Sequence, residues 1–263
     1  MASSKTKTIN IRKSILLSTT ALTLVGGLAF AGVAQAADLE LPTGEQVVRG
    51  GAEFKRKAAQ GTLKITQNSK RLIVDWDSFN IGKDAEVKFK QVQGRDSIAV
   101  NRVTGTGIDP TKIRGKLSAN GNLIILDPNG VIFGRNSQVD VGGLIASTGK
   151  LHNENAFMRG DEQFVISDTD QNGDKTVVNR GNITVKNNGL LAFVAPYAKN
   201  NGTINATFGK VTLAAGETAT VDLTGDALVS LAVGKKLSKA LAQNKGTINA
   251  AGGTVAMTAN AAK

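Results

Sequence analysis

From about Leu39 onward, apolar residues come in short runs that alternate with polar ones or stand unbroken. Leu63-x-Ile65, Leu72-Ile73-Val74, Val87-x-Phe89 and Ile98-x-Val100 are followed by Leu123–Leu126, Val131–Phe133, Val139-x-Val141 and Leu144-Ile145-Ala146. Period-two or short unbroken runs bounded by Gly, Asn and Pro read as β-strands. Between Leu126 and Val131 stands Asp127-Pro128-Asn129-Gly130. Proline holds φ at about −65° and Asn-Gly readily takes positive φ, so this tetrapeptide is a turn. Gly142-Gly143 breaks the next run. Helical character is confined mainly to Gly234–Gln243, where Leu237 and Leu241 sit four apart.

The last third repeats itself. Asn179-x-Gly181-x-Ile183, Asn200-x-Gly202-x-Ile204 and Asn244-x-Gly246-x-Ile248 begin 21 and 44 residues apart, one and two periods of about 22. Each is followed by a glycine and an apolar strand, Leu190–Val194, Val211–Ala215 or Val255–Met257. A further copy is expected in Val221–Val233, where Leu223, Leu228 and Leu231 keep the apolar beat without the Asn-x-Gly corner. A fixed period near this length marks a solenoid, and three short strands joined by three corners consume it. The predicted coil is a parallel β-helix in which Ile183, Ile204 and Ile248 stack. A flat antiparallel sandwich is the alternative, and the near-constant period disfavours it. One rung cannot offset roughly 1–2 kcal/mol of ordering entropy per residue, whereas stacked rungs that bury Ile and Val at roughly 1.5–3 kcal/mol each can. Asn at the corners suits positive φ or a stacked ladder.

The ends and the charge add to this picture. Lys5, Lys7, Arg12 and Lys13 precede an apolar stretch from Ile15 to Phe30, and Ala34-Gln35-Ala36 fits small-x-small cleavage. Residues 1–36 therefore read as a Sec signal peptide cleaved after Ala36 rather than a retained anchor, leaving 37–263 as the mature domain. No other segment approaches the ~20 apolar residues that span a bilayer. Without the four leader cations, 28 Lys and Arg face 21 Asp and Glu, a net of +7. The cations are scattered in small groups, as on solvated faces, and leave room for attraction to anionic glycans, lipopolysaccharide or an acidic partner. Nucleic acid is not expected as a partner of an exported chain with eleven aromatic residues. Cysteine is absent, which suits both a chain threaded through a second membrane and a fold that needs no disulfides.

From Glu40 to Ala262 the chain resembles the haemagglutination-activity, or two-partner secretion, domain that opens filamentous-haemagglutinin-type exoproteins. The resemblance rests on Ala119–Gly149, Trp76–Gly82, Val100–Gly105, Gly143–Thr148, the Asn-x-Gly rungs and Val211–Gly216, in the family's order. It implies an all-β, right-handed, single-stranded parallel β-helix with an N-terminal cap, about residues 37–75, and small extra-helical hairpins. It implies export by Sec to the periplasm of a Gram-negative bacterium, recognition by the periplasmic domains of an outer-membrane transporter, and folding at the cell surface. The family's turn reads Asn-Pro-Asn-Gly; here Asp127 stands first, able to accept the same local backbone bonds. The family's second motif, Asn-Pro-Asn-Leu, does not occur. Asn101, Arg102, Asp127, Pro128, Asn129 and Gly130 are the implied recognition and secretion motif, with Arg102 open to either a transporter contact or a local salt bridge.

Other chemistry is thin. Asp168-x-Asp170-x-Asn172-Gly173 imitates half a calcium loop, but its twelfth position is Asn179, and a polar hairpin tip reads better. His152 is the single histidine, so no histidine triad or multi-histidine metal site is available, and it reads as a solvated loop residue. Trp76 and Phe79 read as packing of the cap over the first rungs. Asp75 and Asp77 would share a strand face, with nothing converging on them. No cofactor and no enzymatic activity are expected. A surface adhesin that binds host-cell glycans or matrix is the second functional reading, and a β-helical carbohydrate-active enzyme the third.

Overall fold

The computed structural model describes residues 36–161, 163–169, 175–222, 229–232, 237 and 239–260. Apolar alternation becomes three parallel sheets wound as one coil. The first face stacks Thr62–Gln67, Glu86–Gln91, Lys116–Ala119, Gln138–Val141, Asn182–Val185, Thr203–Asn205 and Thr247–Asn249. The second stacks Arg71–Trp76, Ile98–Val103, Asn122–Leu126, Gly143–Ser147, Leu190–Ala195, Lys210–Ala215 and Thr254–Ala259. The third stacks Thr111–Ile113, Val131–Phe133, Thr176–Asn179, Tyr197–Asn200 and Leu241–Asn244, with Ile81 bridging Ile113 ahead of them. The chain visits the three faces in turn, which makes it a parallel β-helix. Two antiparallel strands close the N-terminal edge: Gln46–Arg49 against Arg71–Trp76, and Ala52–Lys57 against Thr62–Gln67.

Alternation decides what lies inside. Leu63, Val87, Leu117, Val139, Ile183, Ile204 and Ile248 are in register on successive strands. All but Ile248 are at most 2% exposed, so each contributes roughly 1.5–3 kcal/mol of burial. Trp76 lies fully buried between Phe54 and Phe79, edge-on to both at 5.8 and 5.3 Å. At the C-terminal end Val255 and Met257 continue the inner columns of Val211 and Leu213, yet they are 46% and 54% exposed.

The corner asparagines form a ladder. Asn179 Nδ2 donates to Asn200 Oδ1 at 2.9 Å, and Asn200 Nδ2 to Asn244 Oδ1 at 2.8 Å. None of the three takes positive φ. The following glycines are required by close approach instead: a Cβ on Gly202 would lie 2.2 Å from the carbonyl oxygen of Gly181 on the rung below.

Asn200 pairs directly with Asn244 although 44 residues separate them. The expected copy at Val221–Val233 is therefore not a rung. Thr218–Asp222 and Val229–Ala232 leave the coil as an antiparallel hairpin. They join Lys150–His152 and Gln163–Ser167 in a separate antiparallel sheet. Both insertions leave at the corner between the second and third faces. They cover the outer side of the second face, where Ile73, Val100, Ile124 and Ile145 pack with Phe157, Phe164 and Ile166 in a second core. This is why runs such as Leu72-Ile73-Val74 are unbroken: both sides of that sheet are buried.

Two further expectations change. Leu241–Asn244, which overlaps the end of the stretch Gly234–Gln243 expected to be helical, is a strand, because pairing with Tyr197–Asn200 outweighs a weak helical preference. The rest of that stretch lies largely outside the described residues. An α-helix occurs instead at Glu154–Arg159, started by the Asn153 side chain, which accepts from the Ala156 amide, and ended by Gly160 at φ +96°. His152, expected in a loop, ends a strand and is exposed.

Candidate functional site

The chain from Leu126 to Val131 must turn from the second face to the third. Asp127 is 1% exposed and organises that corner. Its Oδ1 accepts from the Asn129 amide at 2.8 Å, and the Gly130 amide donates to the Asp127 carbonyl at 2.9 Å. Its Oδ2 accepts from both the amide and the hydroxyl of Thr111, at 2.8 Å each. Thr111 pairs with Val131 on the third face, so the carboxylate ties the turn to the preceding rung. Gly130 alone takes positive φ, +113°, and a Cβ there would stand 2.7 Å from the Thr176 carbonyl oxygen. Pro128 and Asn129 are left half-buried at the surface, and Asn129 Nδ2 donates to the Gly107 carbonyl at 2.8 Å.

Burial pushes the Asp127 carboxyl above the usual aspartate range. The hydrogen bonds from Asn129 and Thr111, with the charge of Lys175, oppose this without cancelling it.

Arg102 lies opposite Leu126 on the neighbouring strand. Its guanidinium binds Asp75 at 2.6 Å, one rung earlier, and Glu154 of the inserted helix. Burial would lower its pKa; the two carboxylates outweigh that and hold it above the ordinary arginine value. Asn101 points the other way. Fully buried in the coil, it accepts from Trp76 Nε1 at 3.1 Å.

Arg102, Thr104, Pro128, Lys150, Leu151 and Glu154 line a cleft of about 350 Å³. The coil thus brings Arg102 and the turn together across 26 residues of sequence, while Asn101 and Asp127 support them from inside. Asp75 and Glu154 were not foreseen as partners of Arg102. Asp75 precedes Arg102 by 27 residues, close enough to the repeat length for a period-spaced search for opposite charges to find it. Glu154 carries no such signal, nor does Thr111. Asp75 and Asp77 do not share a strand face: the strand ends at Trp76, and Asp77 lies beyond it with its amide bonded to Thr43.

Asp168 is described, with φ at +57°, whereas Asp170 and Asn172 lie outside the described residues. Among the described residues, no three His, Cys, Asp or Glu side chains gather as metal ligands.

A family profile of the TPS secretion domain matches residues 37–263. The chain belongs to the TPS secretion domain family. This secretion domain is 33% identical over 219 residues to a heme/hemopexin-binding protein of Haemophilus influenzae strain Rd, covering 82% of the chain and 23% of that protein. A second Haemophilus influenzae protein of that description is 37% identical over 120 residues, covering 46% of the chain and 12% of the relative. The chain therefore spans at most about a quarter of these relatives' length. The crystal structure of the HMW1 secretion domain from Haemophilus influenzae superposes with a TM-score of 0.70 at 27% identity, over 82% of this chain and 55% of that one. The resemblance read from the motifs and the β-helical fold are both borne out by these matches.

Proposed function

We propose that this secretion domain addresses the chain to an outer-membrane transporter of a two-partner system, whose periplasmic domains engage the cleft beside the Asp127–Gly130 turn. The observation that carries the reading is the division of labour at that turn. Asp127 and Asn101 are buried and hold position, while Pro128 and Arg102 line one cleft and Asn129 stands half-buried next to Pro128. Residues 1–36 act as a Sec leader removed after Ala36, and residues 37–263 form the exported unit. Outside the cell, rungs that close over their apolar columns cannot slide back, so folding itself rectifies transport. Burial of the stacked Leu, Val and Ile residues supplies the free energy for that bias.

Co-expression with the cognate transporter tests this. Asn129-Gly130 replaced by Val-Val places a β-branched residue at positive φ and is expected to lower the secreted fraction strongly. Arg102→Glu, which reverses the charge in the cleft, is expected to lower it as well, while Arg102→Lys retains part of the activity. N-terminal sequencing of the exported chain is expected to begin at Ala37. Undiminished secretion of Arg102→Glu and the Val-Val variant overturns the assigned role of the cleft.

A further inference from the structure

The outward side chains of the first face form columns across the strands, as the inward ones do. Lys55 lies directly opposite Lys64, and Lys64 directly opposite Lys88. Adjacent strands are ~4.8 Å apart, so these ammonium groups repeat along a line parallel to the coil axis. Lys57 lies one column over at one end and Lys116 at the other, and Lys90 sits two residues beyond Lys88. All six are exposed, and none forms an ion pair among the described residues. Glu53 and Glu86 are the acidic residues of the same strands. Like charges directly opposite one another destabilise a sheet, so the fold gains nothing from this row.

We infer that the lysine row is a binding surface for a linear, sulfated polysaccharide. A flat row of lysines is a set of point charges at fixed spacing, which suits a chain whose anionic groups also repeat along a line. Beside it the same face carries shallow grooves lined by sugar-compatible donors and acceptors. Ser118, Asn120 and Asp140 meet Lys88, Lys90 and Lys186 in one of about 480 Å³. Gln138, Asn182 and Thr184 line the next, of about 280 Å³. The chemistry of the face disfavours other anions. It presents no exposed aromatic ring for base stacking. It has no apolar side chains to enter a membrane interface, and no buried apolar anchor of the kind a protein partner uses. The inference goes beyond the secretion role and involves none of the residues assigned to it.

Heparin-affinity chromatography of the full chain tests it, with desulfated heparin, anionic phospholipid vesicles and the transporter's periplasmic domains as comparison ligands. The native chain is expected to be retained on heparin at 0.15 M NaCl and not on the desulfated form. Lys55→Gln/Lys64→Gln/Lys88→Gln is expected to bind at least about tenfold more weakly, with the slope of log affinity against log salt reduced by roughly two to three, one counterion per lost contact. A charge-matched control, Lys70→Gln/Lys239→Gln/Lys245→Gln, is expected to bind like the native chain. Far-ultraviolet circular dichroism checks that both variants are folded. Equal weakening of both variants reduces the effect to net charge and overturns the inference. So does loss of neither, failure of the native chain to bind, or a row-dependent interaction with vesicles or periplasmic domains in place of heparin. A failed secretion assay with intact heparin binding rejects the transporter reading alone.

Discussion

Replacing Asp127 separates the two things a buried carboxylate does at the turn. Asp127→Ala removes three hydrogen-bond acceptor contacts, from Asn129 N, Thr111 N and Thr111 Oγ1, and leaves a void where the side chain was. Thr111 N retains the Gly130 carbonyl at 3.0 Å, so the loss is less than the sum of three bonds. At about 1 kcal/mol net per bond and more for a charged acceptor, the expected destabilisation is roughly 2–4 kcal/mol. Asp127→Asn is different. Its Oδ1 can keep the Asn129 amide while Nδ2 donates to Thr111 Oγ1, and the buried charge is gone. The sign of the pH effect follows from the raised carboxyl pKa. Below the unfolded-state value, about 3.9, both states are protonated and no penalty arises. As pH rises through that value toward the higher folded-state one, the native chain holds a proton that the unfolded chain releases, and stability falls. The asparagine variant lacks this loss, so its stability relative to the native chain should improve from about pH 3 to pH 7. The chain has a single tryptophan, fully buried, so urea unfolding followed by its fluorescence over this pH range reads the effect. An alanine variant within about 0.5 kcal/mol of native, or an opposite pH trend for the asparagine variant, refutes the reasoning.

Asn200→Ala removes the middle of the corner ladder, strands the partners of Asn179 and Asn244, and should destabilise by roughly 2–4 kcal/mol. Loss of amide hydrogen-exchange protection around Asn244 and Thr247 should accompany it. Gly202→Ala drives a methyl to 2.2 Å from the Gly181 carbonyl oxygen and should cost a similar amount. Gly107→Ala, with nothing within 4 Å of the added carbon, should stay within about 0.5 kcal/mol; denaturation midpoints compare the two.

Much of the coil was legible because its signals are local. Strand alternation shows in residue pairs such as Leu63 and Ile65, and the turn at Asp127–Gly130 in four adjacent residues. The period shows in copies that keep Asn, Gly and Ile at fixed offsets. The candidate site was half legible. Motifs pointed to the turn and to Arg102, but Thr111, Asp75 and Glu154 reach them from other rungs or from the inserted helix. The ladder was read correctly and its cause partly misjudged: the glycines after Asn179 and Asn200 avoid a neighbouring backbone, a contact that exists only once rungs stack.

The sequence alone determined the composition of a rung, because side-chain alternation and turn chemistry depend on neighbours a few residues apart. Which rungs are consecutive was decided only in three dimensions. The interval of 44 between Asn200 and Asn244 reads as two periods, yet it holds one rung and an excursion. Backbone pairing of Tyr197–Asn200 with Leu241–Asn244 sets that order, and the excursion finds its place by pairing Thr218–Asp222 with Gln163–Ser167 and burying Val221 in the core on the outer side of the second face. A linear pattern records apolar positions, but it does not record which of two buried surfaces they meet.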